Sequence, residues 1–184
     1  MKGYFKNEGK TKETIDEEGW LHTGDIGEWK TNGSLKIIDR KKHIFKLAQG
    51  EYVAPERIEN VYLTAGCVSQ IFVTGDSLKS FLVGIVVPDS EGFSSWCEKN
   101  VVGISGDVEF SELCGNELVR EKVLQELTRV GKVNKLNGFE QVKRIYLECD
   151  PFTAEKGMLT ATLKSKRPQL AKFYEGKVEE LYEN

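Results

Sequence analysis

The stretch IDRKKHIFKLAQGEYVAPERIE, residues 38–59, divides the chain and sets its architecture. It opens on the end of a strand-like run, passes through a basic tract and closes on a helix start. Arg40, Lys41, Lys42 and Lys46 place four cations within seven residues, yet Ile44, Phe45 and Leu47 argue against a freely solvated tail. Polar residues and Gly50 then lead to Ala54-Pro55-Glu56, where a proline in the first turn suits a helix N-terminus. Upstream, two strand-like runs at residues 26–30 and 34–39 meet through Thr31-Asn32-Gly33 and read as a hairpin with little core of its own. Downstream, Ile58, Val61, Tyr62 and Ala65 form one helical stripe, and strand candidates at 67–73 and 81–87 flank the turn signal Gly75-Asp76-Ser77. Helical spacing returns at Val119, Val123, Leu127 and Val130 and again at Leu170, Phe173, Tyr174 and Leu181, with a strand candidate at 142–147 between them. The pattern predicts an α+β fold: a β-hairpin, a boundary at about residue 40, then a three-stranded sheet flanked by helices.

Composition narrows the function classes. Across 184 residues, 26 Lys and Arg face 29 Asp and Glu, for a formal net charge of −3. That balance argues against a polyanion-binding protein, and no RNA- or DNA-binding motif accompanies the basic tracts. The longest nearly unbroken apolar run, residues 81–87, is far shorter than the roughly 20 residues a membrane-crossing helix needs. Cys67, Cys97, Cys114 and Cys149 are widely separated, with no CxxC pair and no histidine at ligand spacing, so no metal site is expected. The expectation is of buried or incidental thiols in a reducing compartment, with a regulatory or bridged cysteine as the alternative.

Three segments carry candidate chemistry, and one decoy does not. Gly9-Lys10-Thr11 resembles the end of a phosphate-binding loop, but five residues separate Gly3 from Gly9 where that motif has four, and no strand precedes it; it reads as an exposed loop. In GWLHTGDIG, residues 19–27, Asp25 sits among glycines just before a strand, where its carboxylate could accept two hydrogen bonds from vicinal hydroxyls or merely cap a turn. The basic tract at 40–46 could grip phosphates. A second cationic group, Lys164-Ser165-Lys166-Arg167, lies between a polar loop and the last helical pattern, whose Pro168 suits a helix start.

Taken in order, GWLHTGDIG, IDRKKHIFKLAQGEYVAPERIE and LTATLKSKRP (159–168) resemble successive signatures of adenylate-forming enzymes. The variants KLAQGEYVAPE and LTATLK are most similar to eukaryotic long-chain fatty acyl-CoA synthetases. The resemblance covers essentially the whole chain and implies its carboxy-terminal part: residues 1–39 ending the large adenylation domain, and 40–184 forming the small mobile domain with a hinge at Lys42. It implies a ligase that joins a fatty acid to ATP as an acyl adenylate and passes the acyl group to coenzyme A, with Mg2+ held by the upstream large domain. By the same resemblance Lys164 is the adenylation lysine, with Lys166 the competing choice, because many relatives carry threonine-serine-glycine-lysine where this chain has Thr160-Ala161-Thr162-Leu163-Lys164. Asp25 would hold the ribose hydroxyls and Arg40 the ribose or phosphate, while Lys46, Gln49, Gly50 and Glu51 would face the thioester-forming site. Two unit charges about 4 Å apart at an effective dielectric near 20 interact by roughly 4 kcal/mol, nearly a thousandfold in rate, enough for one lysine to matter. The segment alone is expected to be soluble, cytosolic and inactive, without a membrane segment or nucleic-acid partner. The parent is expected on the cytosolic face of the endoplasmic reticulum or outer mitochondrial membrane. A ligase for medium-chain or aromatic acids, or a noncatalytic phosphate-binding or interaction module, are the alternatives.

Overall fold

The computed structural model describes residues 1–105 and 108–183. Its amino-terminal part holds helix α1 (Glu8–Thr14) and the antiparallel pair β1 (Asp25–Trp29) and β2 (Leu35–Arg40). Gly9-Lys10-Thr11 is therefore helical, correcting the expected loop; Asn7 Oδ1 caps α1 by accepting from the Lys10 N–H at 3.0 Å, and no residue of the helix is buried. The hairpin leaves Trp29, Leu35 and Ile37 exposed, consistent with a ribbon that has no core beneath it. A 3-10 turn at Lys41–His43 leads to the short pair β3 (Phe45–Lys46) and β4 (Tyr52–Val53), then to α2 (Pro55–Tyr62).

The remainder is built on strands β5 (Val68–Thr74), β6 (Leu82–Pro88) and β7 (Val142–Leu147), in spatial order β5-β6-β7. Strands β5 and β6 are antiparallel, whereas β6 and β7 are parallel. A parallel pair needs a long crossover, here α3 (Phe93–Asn100), α4 (Phe110–Gly115) and α5 (Glu117–Val133). Helices α6 (Arg167–Phe173) and α7 (Glu175–Glu183) complete the chain. The α+β expectation and the hairpin-then-sheet order agree with this arrangement. The last helical pattern, read as one element, is two: Tyr174 leaves helical geometry at φ −99° and ψ 12°. Its buried ring packs on Phe152, and its Oη donates to Glu148 Oε2 at 3.1 Å.

Every residue of β6 is buried because the sheet is covered on both faces. One face meets Ile58 and Tyr62 of α2, Phe93 and Cys97 of α3, Leu113 of α4, and the α5 stripe Val119, Val123, Leu127 and Val130. The opposite face, with Phe72, Ile85 and Val87, meets Phe152, Met158, Leu159, Leu170 and Tyr174. A continuous apolar strand is what two covered faces demand, in place of strict alternation. Tyr62 ties the first layer to the sheet by accepting from the Val142 N–H at 3.0 Å.

Gly75, just past β5, lets Phe45 of β3 approach the sheet. A Cβ there would lie 2.5 Å from Phe45 Cε2 and 2.9 Å from Leu82 Cδ2, and Leu82 is fully buried and cannot swing away. Gly75→Ala should therefore lower stability by about 1–3 kcal/mol through overpacking. The check is a urea titration in which the midpoint falls while the slope stays constant.

Candidate functional site

The structure brings the sequence-derived residues together in three places. Asp25 and Arg40 face each other across the β1–β2 ladder, with Arg40 Nε 2.9 Å from Asp25 Oδ1. Gly24 before them has φ +74°, and the Asp25 N–H is held by Thr23 Oγ1 at 3.2 Å. The side chains are partly open, so the carboxylate keeps an oxygen for further donors and the guanidinium keeps N–H groups for an acceptor.

Lys46, Gln49, Gly50 and Glu51 lie in one tight loop closed by hydrogen bonds from the Leu47 N–H to the Glu51 carbonyl and from the Gly50 N–H to the Leu47 carbonyl, each 2.9 Å. Gly50 has φ +94°, a conformation that suits glycine. Gln49 Nε2 donates to the Ser80 carbonyl at 3.0 Å, docking the loop on the β5–β6 connection. All four residues are exposed.

Between these places lies the 3-10 turn with exposed Lys42. Its anchor is Asp39, which is 2% exposed. Asp39 Oδ1 accepts from the Arg40 N–H at 2.6 Å and Oδ2 from the Glu56 N–H at 2.8 Å. Since the α2 cap residue Ala54 offers no side-chain acceptor, Asp39 caps that helix from 17 residues upstream. His43 Nδ1 lies 2.8 Å from Glu56 Oε1 and 3.6 Å from Asp39 Oδ1. This is the one group of three potential metal donors among the described residues. Both Asp39 oxygens already accept N–H bonds and Arg40, Lys41 and Lys42 adjoin it, so its chemistry is that of a polar tie fixing the turn to α2.

Lys164 belongs to a fourth place, which shares Glu56 with the third. It lies near the tip of a hairpin whose base is the Leu159–Ser165 bridge and whose turn is closed by the Leu163 N–H to the Thr160 carbonyl at 2.9 Å. Leu163 turns the chain at φ +59°, a left-handed conformation costing about 1–2 kcal/mol for a residue with a Cβ. The Lys164 side chain is exposed, forms no ion pair with a described residue, and lines a cleft of about 630 Å³ with Glu56, Glu59, Asn60, Gln70 and Thr153. Asp25, Arg40 and the 46–51 loop do not contribute to that cleft.

Arg167, grouped by sequence with Lys164, has a different role. It is buried, Nη1 lies 2.7 Å from Glu59 Oε1, Nη2 donates to the Val73 carbonyl, and the guanidinium stacks 4.9 Å from the Phe72 ring centroid. Glu59 also accepts from the Val73 N–H at 2.7 Å. The pairing was not legible because Glu59 and Arg167 lie 108 residues apart; the signal was a carboxylate next to Ile58 on the apolar side of α2. Burial pushes Cys67 and Cys114 up to about 12 and Cys97 to about 11, leaving these three thiols protonated at neutral pH.

With this geometry in hand, comparison with known proteins decides the lineage. The chain is 56% identical over 182 residues to long-chain-fatty-acid–CoA ligase 6 of Mus musculus, covering 99% of this chain and 26% of the relative. The chain is a homologue of the long-chain fatty acid–CoA ligases. It spans about a quarter of the length of these ligases. The adenylation domain of the carboxylate reductase from Mycobacterium chelonae superposes with a TM-score of 0.82 at 32% identity, over 99% of this chain and 26% of that one. The adenylation and carrier didomain of the carboxylic acid reductase from Segniliparus rugosus, solved with AMP, gives 0.80 at 32% identity, over 98% and 23%. The chain is thus similar both to these ligases and to adenylation domains of carboxylate reductases, over about a quarter of each. No family model matches the chain.

The buried acid makes a pH prediction. Burial pushes the Glu59 carboxyl from 4.5 up to about 7, against the opposing pull of Arg167 and the Val73 N–H. The folded state then holds this proton more tightly than the unfolded chain, so its stabilising effect is complete below about 4.5 and is lost as pH rises through about 7. Urea midpoints at about pH 5 and about pH 8 should differ in that direction, and Glu59→Gln should shrink the difference.

Proposed function

We propose that this chain is the carboxy-terminal part of a long-chain fatty acid–CoA ligase, with residues 1–39 ending the large adenylation domain and 40–184 forming the small domain that turns about Lys42. In the first step a fatty carboxylate oxygen attacks the α-phosphorus of ATP, and the bond to pyrophosphate breaks. In the second, the coenzyme A sulfur attacks the acyl carbonyl and AMP leaves. Lys164 serves the first step by placing its ammonium against the charge gathering on the transferred phosphoryl group. The observation that carries this reading is the Lys164 hairpin: an ammonium with no ion-pair partner among the described residues, near the tip of a braced loop, in a chain aligned throughout with a quarter of a ligase.

The same family resemblance gives the other residues their roles, and the observed geometry is compatible with them. Asp25 accepts from the ribose hydroxyls of the nucleotide, and Arg40, already against it at 2.9 Å, contacts the ribose or phosphate. Lys46, Gln49, Gly50 and Glu51 present their loop to the thioester-forming site once the domain has turned. The Asp39, His43 and Glu56 group suits Mg2+ poorly, because that ion favours open oxygen ligands and these oxygens accept N–H bonds or face an imidazole. Mg2+ ligands are expected of the upstream domain, where the ion would offset the charge of the ATP phosphates. No described helix is long and apolar enough to cross a bilayer.

Two measurements test the reading. Purified 1–184 supplied with palmitate, ATP and coenzyme A should form no palmitoyl-CoA, and detectable turnover would overturn the assignment to a partial enzyme. In the full-length ligase, Lys164→Ala should slow palmitoyl-adenylate formation by up to about a thousandfold. Thioester formation from preformed palmitoyl adenylate should be unchanged. Equal rates with octanoate or benzoate in place of palmitate would point to the related ligases for shorter or aromatic acids.

A further inference from the structure

The Lys164 hairpin is held at both ends by side chains from elements that would otherwise have no part in the chemistry. At the start of the segment that leads to its base, the Gln70 amide grips both main-chain groups of Phe152: Oε1 accepts from the N–H at 2.7 Å and Nε2 donates to the carbonyl at 3.1 Å. At its end, Glu59 and Arg167 together take both main-chain groups of Val73 on the open edge of β5, the carboxyl accepting from its N–H and the guanidinium donating to its carbonyl. Between the clamps, Met158 and Leu159 are buried in the apolar cluster and the Lys166 N–H donates to the Met158 carbonyl at 2.8 Å.

Arg167 is three residues beyond Lys164, a backbone span of at most about 10 Å. Its planar fork is fixed in direction by two acceptors and an aromatic face, so the orientation of that short span is fixed as well. Apolar residues of similar volume in place of a buried ion pair often preserve stability, but they would leave the hairpin's exit without a directional constraint. A reacting group displaced by about 1 Å can lose on the order of a hundredfold in rate.

We propose that Glu59 and Arg167 are a pair of positioning residues that set where the Lys164 ammonium reaches, and so govern acyl-adenylate formation specifically. The inference rests on the proposed adenylation role of Lys164. In this proposal each acts through the lysine and not on the reactants.

The test uses full-length ligase with palmitate, ATP and coenzyme A, and compares the double variant Glu59→Leu/Arg167→Met in two backgrounds, parent and Lys164→Ala. In the parent background, the double variant should lower kcat for adenylate formation by about 10- to 100-fold, with KM for ATP and the rate of thioester formation from preformed palmitoyl adenylate little changed. In the Lys164→Ala background the same pair of substitutions should change the residual rate by less than about twofold, because their effect has no lysine to pass through. An equal fractional loss in both backgrounds, a parallel loss in both half-reactions, or no loss in the parent would each overturn the proposal. Should the double variant fail to fold, Glu59→Gln, which keeps an acceptor for the Val73 N–H, takes its place and should show a smaller loss of the same selectivity. If Lys164→Ala itself leaves adenylation intact, the proposed function has failed; if Lys164→Ala is crippled but the pair behaves additively, only the positioning role has.

Discussion

Strand β6 carries no polar side chain from Leu82 to Pro88, and every one of those residues is buried. A three-stranded sheet with such a centre must be covered on both faces, and the rest of the molecule is the solution to that constraint. Helices α2 to α5 provide one cover, joined by the crossover that the parallel β6–β7 pair requires. The second cover is made by the segment from Phe152 through α6 and α7. The loop carrying Lys164 is therefore no appendage: its base residues Met158 and Leu159 are part of the core, while its tip is solvent-facing.

Burial divides one cationic tract into different chemistries. Lys164 and Arg167 are neighbours in sequence, yet the first ends in water and the second is locked against Glu59, Val73 and Phe72. Arginine suits the buried place because its guanidinium can satisfy two acceptors in one plane and still lie on an aromatic ring. Lysine suits the exposed place because a compact charge on a flexible stem can follow a ligand. The same contrast appears near residue 40, where Asp39 is buried as a helix cap and Arg40 beside it remains open to form the pair with Asp25.

Much of the fold was legible because local patterns and final environment agree. The hairpin, the three sheet strands, α2 and α5 all follow from periodicity and turn residues at nearly the observed limits. The misses have physical causes. Helix α1 has no apolar stripe, so only its Asn7 cap announces it. Helices α3 and α4 are 8 and 6 residues long, short enough for their core contacts at Phe93, Cys97 and Leu113 to fall below any repeating pattern. The division of the last helix at Tyr174 depends on the ring's place against Phe152, which is tertiary information. At the candidate site the exposed groups were readable as motifs, whereas Glu59, Gln70 and the Asp39 cap act across 108, 82 and 17 residues and leave no local trace.

The cysteines show a last asymmetry. Cys67 and Cys97 are buried, Cys114 is half-buried with its thiol also held protonated by burial, and Cys149 is exposed just after β7, three residues before Phe152. A maleimide dye applied briefly at neutral pH would accordingly attach at Cys149 first, without engineered mutations. It would sit three residues before the Phe152 that Gln70 clamps, so fluorescence from that label offers an optical readout of the segment leading to the lysine hairpin as ATP or coenzyme A is added to a ligase containing this segment.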